Sequence, residues 1–131
     1  MTIELTILGW TLVLAMFQIA LAATFRTMET GLWFNASARD GGGPPVGKIT
    51  ARLQRAQANL FETLPLFAVA VLIAHFAGRN NAQTVLACEL FLGARVLYLL
   101  LYAAGVPVVR TLVWAVSIVG LVMLLKVILA G

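Results

Sequence analysis

Four apolar stretches, at about 5–25, 56–77, 82–104 and 107–130, divide the chain. Each approaches the ~20 residues that a helix needs to cross a bilayer core. Turn-forming residues separate them. The first connection, at about 26–51, holds Gly41-Gly42-Gly43-Pro44-Pro45 and Gly47, a Gly and Pro density that predicts an irregular loop. Gly78-Arg79-Asn80-Asn81 predicts a tight turn, and Gly105-Val106-Pro107 stops one helix and starts the next, proline being suited to a first turn. The pattern therefore predicts an all-α integral membrane protein. Its single domain, 1–131, is a four-helix bundle with helices at about 5–25, 52–77, 82–104 and 107–130. Pro65 falls inside the second helix and predicts a kink there.

Composition excludes a soluble alternative. Hydrophobic residues make up 62% of the 131 positions and charged residues 11%, more apolar surface than a small water-soluble domain can hide. Ala20-Leu21-Ala22 resembles a signal-cleavage site, but Met1 to Leu5 carries Glu4 and no Lys or Arg. A secretory signal begins with basic residues, so a retained first helix is expected. Cys88 is the only cysteine and His75 the only histidine, which excludes an intramolecular disulfide and predicts no metal site.

Charge placement orients the bundle. Arg26, Arg39, Lys48, Arg52, Arg55 and Arg110 lie on the side of the first and third connections, whereas Arg79 and Lys126 lie on the side of the termini. By the positive-inside rule the connections face the cytoplasm and both termini lie outside. Basic residues dispersed along membrane edges are not a nucleic-acid pattern.

The polar residues inside the spans carry the chemistry. In Arg52-Leu-Gln-Arg-Ala-Gln-Ala-Asn-Leu-Phe-Glu62, Asn59 and Glu62 fall within roughly 40° of Arg55 around a helix, with Arg52 about 60° away. Arg95, Tyr98 and Tyr102 of the third span share a face about 60° wide. If the second span enters the membrane near Arg55, Glu62 lies about 10 Å in, and Arg95, Tyr98 and Tyr102 lie about 13, 9 and 3 Å from the same surface. Arg110 opens the fourth span at that surface. Charges at membrane depth cost on the order of 2.5–3.5 kcal/mol each, so they face partners or a wet cavity. This convergence predicts the functional site, and leaves open whether Arg95 pairs with Glu62 or meets a ligand. Glu89 lies about 120° from Arg95, nearer the other surface, and a structural pair with Lys126 is expected.

The stretch from Arg52 to Glu62 resembles the MAPEG family, which includes the microsomal glutathione transferases, the leukotriene-C synthases and the membrane prostaglandin E synthases. The shared pattern is Arg-x-x-Arg-Ala-(Gln/His)-x-Asn-x-x-Glu, here Arg52, Arg55, Ala56, Gln57, Asn59 and Glu62, followed by Pro65-Leu-Phe67. Ala94-Arg95-Val96-Leu97-Tyr98 with Tyr102, and Pro107 with Arg110, also match. The short turns and the Gly-Pro loop look most like bacterial members, which implies a bacterial inner membrane.

The resemblance implies a homotrimer with glutathione, a co-substrate, held in a cytoplasm-facing cleft between subunits. Arg55, Asn59 and Glu62 would hold the peptide, with Arg95, Tyr98 and Tyr102 lining the cleft. Gln57, on another side of its helix, would serve the adjacent subunit's site, and either Arg26 or Arg39 would contribute from the first connection. Arg110 would lie by the glutathione sulfur and favour the thiolate. Glutathione's two carboxylates suit bidentate Arg, its ammonium suits Glu62, and a nearby cation lowers a thiol pKa of ~8.5. Leu97 stands where the leukotriene-C synthase branch has a further Arg, so that branch's substrate is not implied.

The expected function is a membrane glutathione transferase or peroxidase of detoxification, acting on lipophilic electrophiles that arrive from the lipid. The alternative is a non-catalytic lipid- or ligand-binding protein on the same scaffold. A small four-helix exporter would need an acid deep in the first helix, where only Gln18 stands, Glu4 being at the membrane edge.

Overall fold

In the computed structural model, which describes residues 1–43 and 45–130, the helices α1 (Ile3–Thr30), α2 (Leu32–Ala36), α3 (Lys48–Phe76), α4 (Ala82–Ala104) and α5 (Val108–Ala130) account for most of the chain. Pro44, expected within the first loop, and Gly131 lie outside the described residues. Four helices, α1, α3, α4 and α5, are long and apolar enough to cross a membrane.

The hydropathy pattern ends before the helices do. α1 continues past residue 25 through a polar segment with no breaker until Gly31, whose positive φ of 88° ends it. At 1.5 Å per residue its 28 residues span about 42 Å, more than a bilayer core of ~30 Å. α3 likewise begins at Lys48, so its polar first turns stand at the membrane edge. α3 runs as one helix through Pro65.

The first connection is more ordered than its Gly and Pro content predicts. Asn35 of α2 donates to Thr27 Oγ1 at 2.6 Å and accepts from Thr30 Oγ1 at 2.9 Å, folding α2 back on α1. The Gly47 amide donates to Glu29 at 2.8 Å, which fixes where α3 starts. Side-chain bonds from four helical residues outweigh the glycines because they satisfy polar groups at the helix ends.

α4 and α5 form a tight hairpin, α3 packs against α1, α4 and α5, and α1 also packs on α4. Among the described residues α1 does not meet α5. Gly105 makes the hairpin turn at φ 78°, a conformation that favours glycine, and the Val106 amide donates to the Leu101 carbonyl at 3.0 Å. Gly120 lets the α4 backbone approach α5: a Cβ there would lie 2.7 Å from the Ala87 carbonyl oxygen. The core holds the stacked rings of Phe67 and Phe91, 4.1 Å apart, with Leu60, Val71 and Leu124 fully buried around the same cluster. A second cluster, Ala22, Leu53, Ala56, Tyr98 and Leu99, lies toward the loop end.

Glu4 is not at an exposed edge. It is 3% exposed, and Thr84 Oγ1 of α4 donates to its carboxylate at 2.5 Å. That bond aligns the parallel helices α1 and α4. Glu89 and Lys126 do not pair: both side chains are exposed, Glu89 beside Val113 and Val116, Lys126 beside Asn81 and Gln83. The helical angle from Arg95 correctly separates Glu89 from the polar set, but α5 turns Lys126 toward a different groove.

Candidate functional site

At the loop end, side chains of α3, α4 and α5 meet around Tyr102. Arg55 Nε donates to the Tyr102 hydroxyl at 3.0 Å. The Arg110 guanidinium sits 4.4 Å from the centre of the same ring, and that of Arg55 5.7 Å. Tyr98 meets Tyr102 edge to face at 5.4 Å and 73°. Below it, the Arg95 guanidinium lies 4.4 Å from the Tyr98 ring. The four-residue spacing of Tyr98 and Tyr102 on one helix puts both rings on the same face, and the α4–α5 turn brings Arg110 over them.

Three guanidiniums thus share two aromatic rings. Among the described residues no carboxylate forms an ion pair with Arg55, Arg95 or Arg110. An aromatic face offsets part of the cost of a cation, about 0.5–2 kcal/mol, and leaves the field of the cluster positive. Such a cluster attracts anions.

The sequence-predicted residues do not all come together. Arg55, Tyr98, Tyr102 and Arg110 come together as described. Asn59 and Glu62 follow Arg55 along α3: Asn59 is half-buried with its Oδ1 enclosed and without a partner, and Glu62 is exposed. Glu62 stands about 10 Å beyond Arg55 along the helix, on a surface that the chain leaves uncovered.

Arg95 does not form the ion pair with Glu62, one of the two alternatives that the sequence leaves open. It is 2% exposed and stacked beneath Tyr98, while Glu62 faces outward from α3. Among the described residues its Nε and Nη1 have no hydrogen-bond partner. The matching depths are real, but depth says nothing about whether a helix face points inward or outward. Arg95 meets the site through Tyr98.

Gln57 lies elsewhere, as its position about 200° around α3 from Arg55 requires. It lines a basin of about 250 Å³ between α1 and α3, together with Arg26, Asn35, Arg39 and Gln54. Arg26 and Arg39, alternatives on the sequence, both line it. The Arg39 Nε donates to the Asn35 carbonyl at 3.0 Å, which positions its guanidinium at the basin. Reading the motif alone missed Gln54 and Asn35; the three-residue spacing of Gln54 and Gln57 on one helix face was the available signal.

Arg52 leaves the stripe altogether. Its guanidinium packs against Gly105, and Nη1 donates to the Ala103 carbonyl at 3.5 Å. A cation there complements the carboxyl end of α4. Trp114, half-buried near Tyr98, encloses an indole N–H without a partner. Among the described residues no group of three or more His, Cys, Asp or Glu could hold a metal ion.

A sequence model of the MAPEG family matches residues 5–130. No curated protein matches the chain.

Proposed function

The chain belongs to the MAPEG family and is an integral, multi-pass membrane protein; on that premise we propose that it binds glutathione between subunits of a homotrimer and activates the thiol for reaction with lipophilic electrophiles. The observation that carries this reading is the Arg55–Tyr102–Arg110 cluster, a positive, aromatic-lined site with no carboxylate counter-ion among the described residues.

The residues fit the peptide. Arg55 offers a guanidinium fork for a carboxylate, Glu62 an acid for the ammonium, and Asn59 an amide oxygen that has no hydrogen-bond partner among the described residues. Tyr102 holds Arg55 in place, and Arg95 supports Tyr98 from below. Arg110, the cation nearest the membrane edge on α5, is the thiolate stabiliser. A fixed positive charge favours loss of the thiol proton to solvent. The thiolate sulfur then forms a bond to the electrophilic carbon as the leaving group departs with its electron pair. In the peroxidase variant, two thiols are oxidised to a disulfide while a hydroperoxide is reduced to an alcohol and water.

The basin with Arg26, Arg39 and Gln57 is the complementary half-site, offered to the neighbouring subunit. It lies on the opposite side of α3 from Arg55, so one subunit does not bring both halves to one ligand. In this reading the site opens to the cytoplasm and the protein lies in a bacterial inner membrane with both termini outside.

The test is a glutathione titration of the detergent-purified protein, followed by thiolate absorbance in the near ultraviolet at neutral pH. A saturating rise is expected. A flat trace would overturn thiol activation and leave a ligand-binding protein on the same scaffold.

A further inference from the structure

Glu89 stands seven residues into α4, about 10 Å from its start, and is exposed on the subunit surface. Lipid at that depth offers no hydrogen-bond donor. Among the described residues no cation pairs with Glu89; Lys126, the partner expected from the sequence, lines a separate depression with Asn81 and Gln83. A charge left there is costly unless something meets it.

Glu89 is not alone on that surface. It lies in a groove of about 270 Å³ between α4 and α5, lined by Leu90, Gly93, Leu97, Val113 and Val116. Gly93 gives the groove its width, since a Cβ there would meet nothing within 4 Å. The lining is otherwise apolar. Gly120, packed against Ala87 and Phe91, sets the level of α5 against α4. From that level Arg110 lies ten residues toward the loop end, about 15 Å along the axis.

We propose that this groove binds a lipophilic amine, its protonated nitrogen on the Glu89 carboxylate and its chain running along Leu97 and Val113 toward Arg110. The charge selects the ligand. An anionic amphiphile meets repulsion at Glu89, and a neutral one leaves the carboxylate unpaired. A hydrophilic amine gains nothing from the apolar lining. The groove is open at the surface of the chain, and in this proposal that face meets lipid rather than a neighbouring subunit, so the amine enters from the bilayer, where lipophilic amines concentrate.

The experiment is equilibrium binding of radiolabelled dodecylamine to the full chain in a nonionic detergent, without glutathione, so its outcome is independent of the thiol titration. Saturable, stoichiometric binding is expected, displaced by unlabelled dodecylamine and not by dodecanol or dodecanoate. Glu89→Gln is expected to weaken it roughly tenfold or more, the loss of one charge-assisted hydrogen bond. Gly93→Leu, which fills open space, is expected to block it while the protein still melts cooperatively, and it carries the test should Glu89→Gln fail to fold. Equal affinity in wild type and Glu89→Gln, or equal competition by dodecanol, overturns the proposal. So does a Glu89→Gln protein whose assembly mass changes while amine binding does not, which assigns Glu89 to a contact with a second copy of the chain.

Discussion

Arg95 and Arg110 each meet a tyrosine ring at 4.4 Å, and their surroundings give them different duties. Arg110 is partly exposed at the start of α5, which leaves it open to the proposed ligand. Arg110→Ala is therefore expected to leave glutathione binding measurable by calorimetry, while thiolate absorbance disappears and turnover falls on the order of 10²–10³-fold, the usual loss of one electrostatic stabiliser. Unchanged turnover would remove Arg110 from the mechanism. Arg95 is enclosed and touches the site through Tyr98. Replacing an unpaired buried cation by an apolar side chain of similar length removes a desolvation cost, so Arg95→Met is expected to keep or raise the melting temperature. It loses the support of the Tyr98 ring, about 0.5–2 kcal/mol, so glutathione binding should weaken roughly 2- to 30-fold. A variant that binds normally would make Arg95 purely structural. The sequence already placed Arg95, Tyr98 and Tyr102 on one face, because helical spacing fixes angles. It left the burial of Arg95 unreadable, because an angle around one helix does not say which neighbour covers it.

The helices show the same division between what spacing sets and what neighbours set. Four apolar runs of spanning length made the four membrane helices legible. Their ends were less so, because hydropathy stops at the membrane edge whereas α1 runs on until Gly31 and α3 starts at Lys48. The contacts between helices were not legible at all. Gly93 and Gly120 both lie in helices and look equivalent in sequence, yet only Gly120 faces a backbone. Gly120→Ala is expected to destabilise by about 1–3 kcal/mol, as overpacking does, and Gly93→Ala to cost nothing. Thermal unfolding of both variants in one detergent decides this, and equal melting points would refute the close packing of α4 on α5. Thr84→Val removes the donor to Glu4 and should cost about 0.6–1.7 kcal/mol, the range for hydrogen bonds between membrane helices.

A single subunit presents two incomplete surfaces. Arg55, Asn59, Glu62, Tyr102 and Arg110 occupy one side of α3, and Arg26, Arg39 and Gln57 occupy the basin on the other. The first side leaves Arg55 exposed at the membrane edge and Glu62 exposed about 10 Å further in, a depth where charge is expensive without cover. In the proposed homotrimer, a ring of subunits each offering its basin to the next would cover both surfaces at once and close without unused interfaces. This arrangement has a consequence that a site within one subunit does not. Arg110→Ala spoils the first half and leaves the basin intact, while Arg39→Ala with Gln57→Ala spoils the basin and leaves the first half intact. Each variant alone is expected to lose the thiolate signal. Co-expressed in equal amounts and purified as mixed assemblies, they should regain about one site in four, where an intact first half meets an intact basin. If the site lay within one subunit, every subunit in the mixture would carry a defect and no signal would return. Subunits mixed only after purification provide the control: without exchange they should stay inactive, so recovery confined to co-expressed protein would locate the ligand at the contact between neighbours.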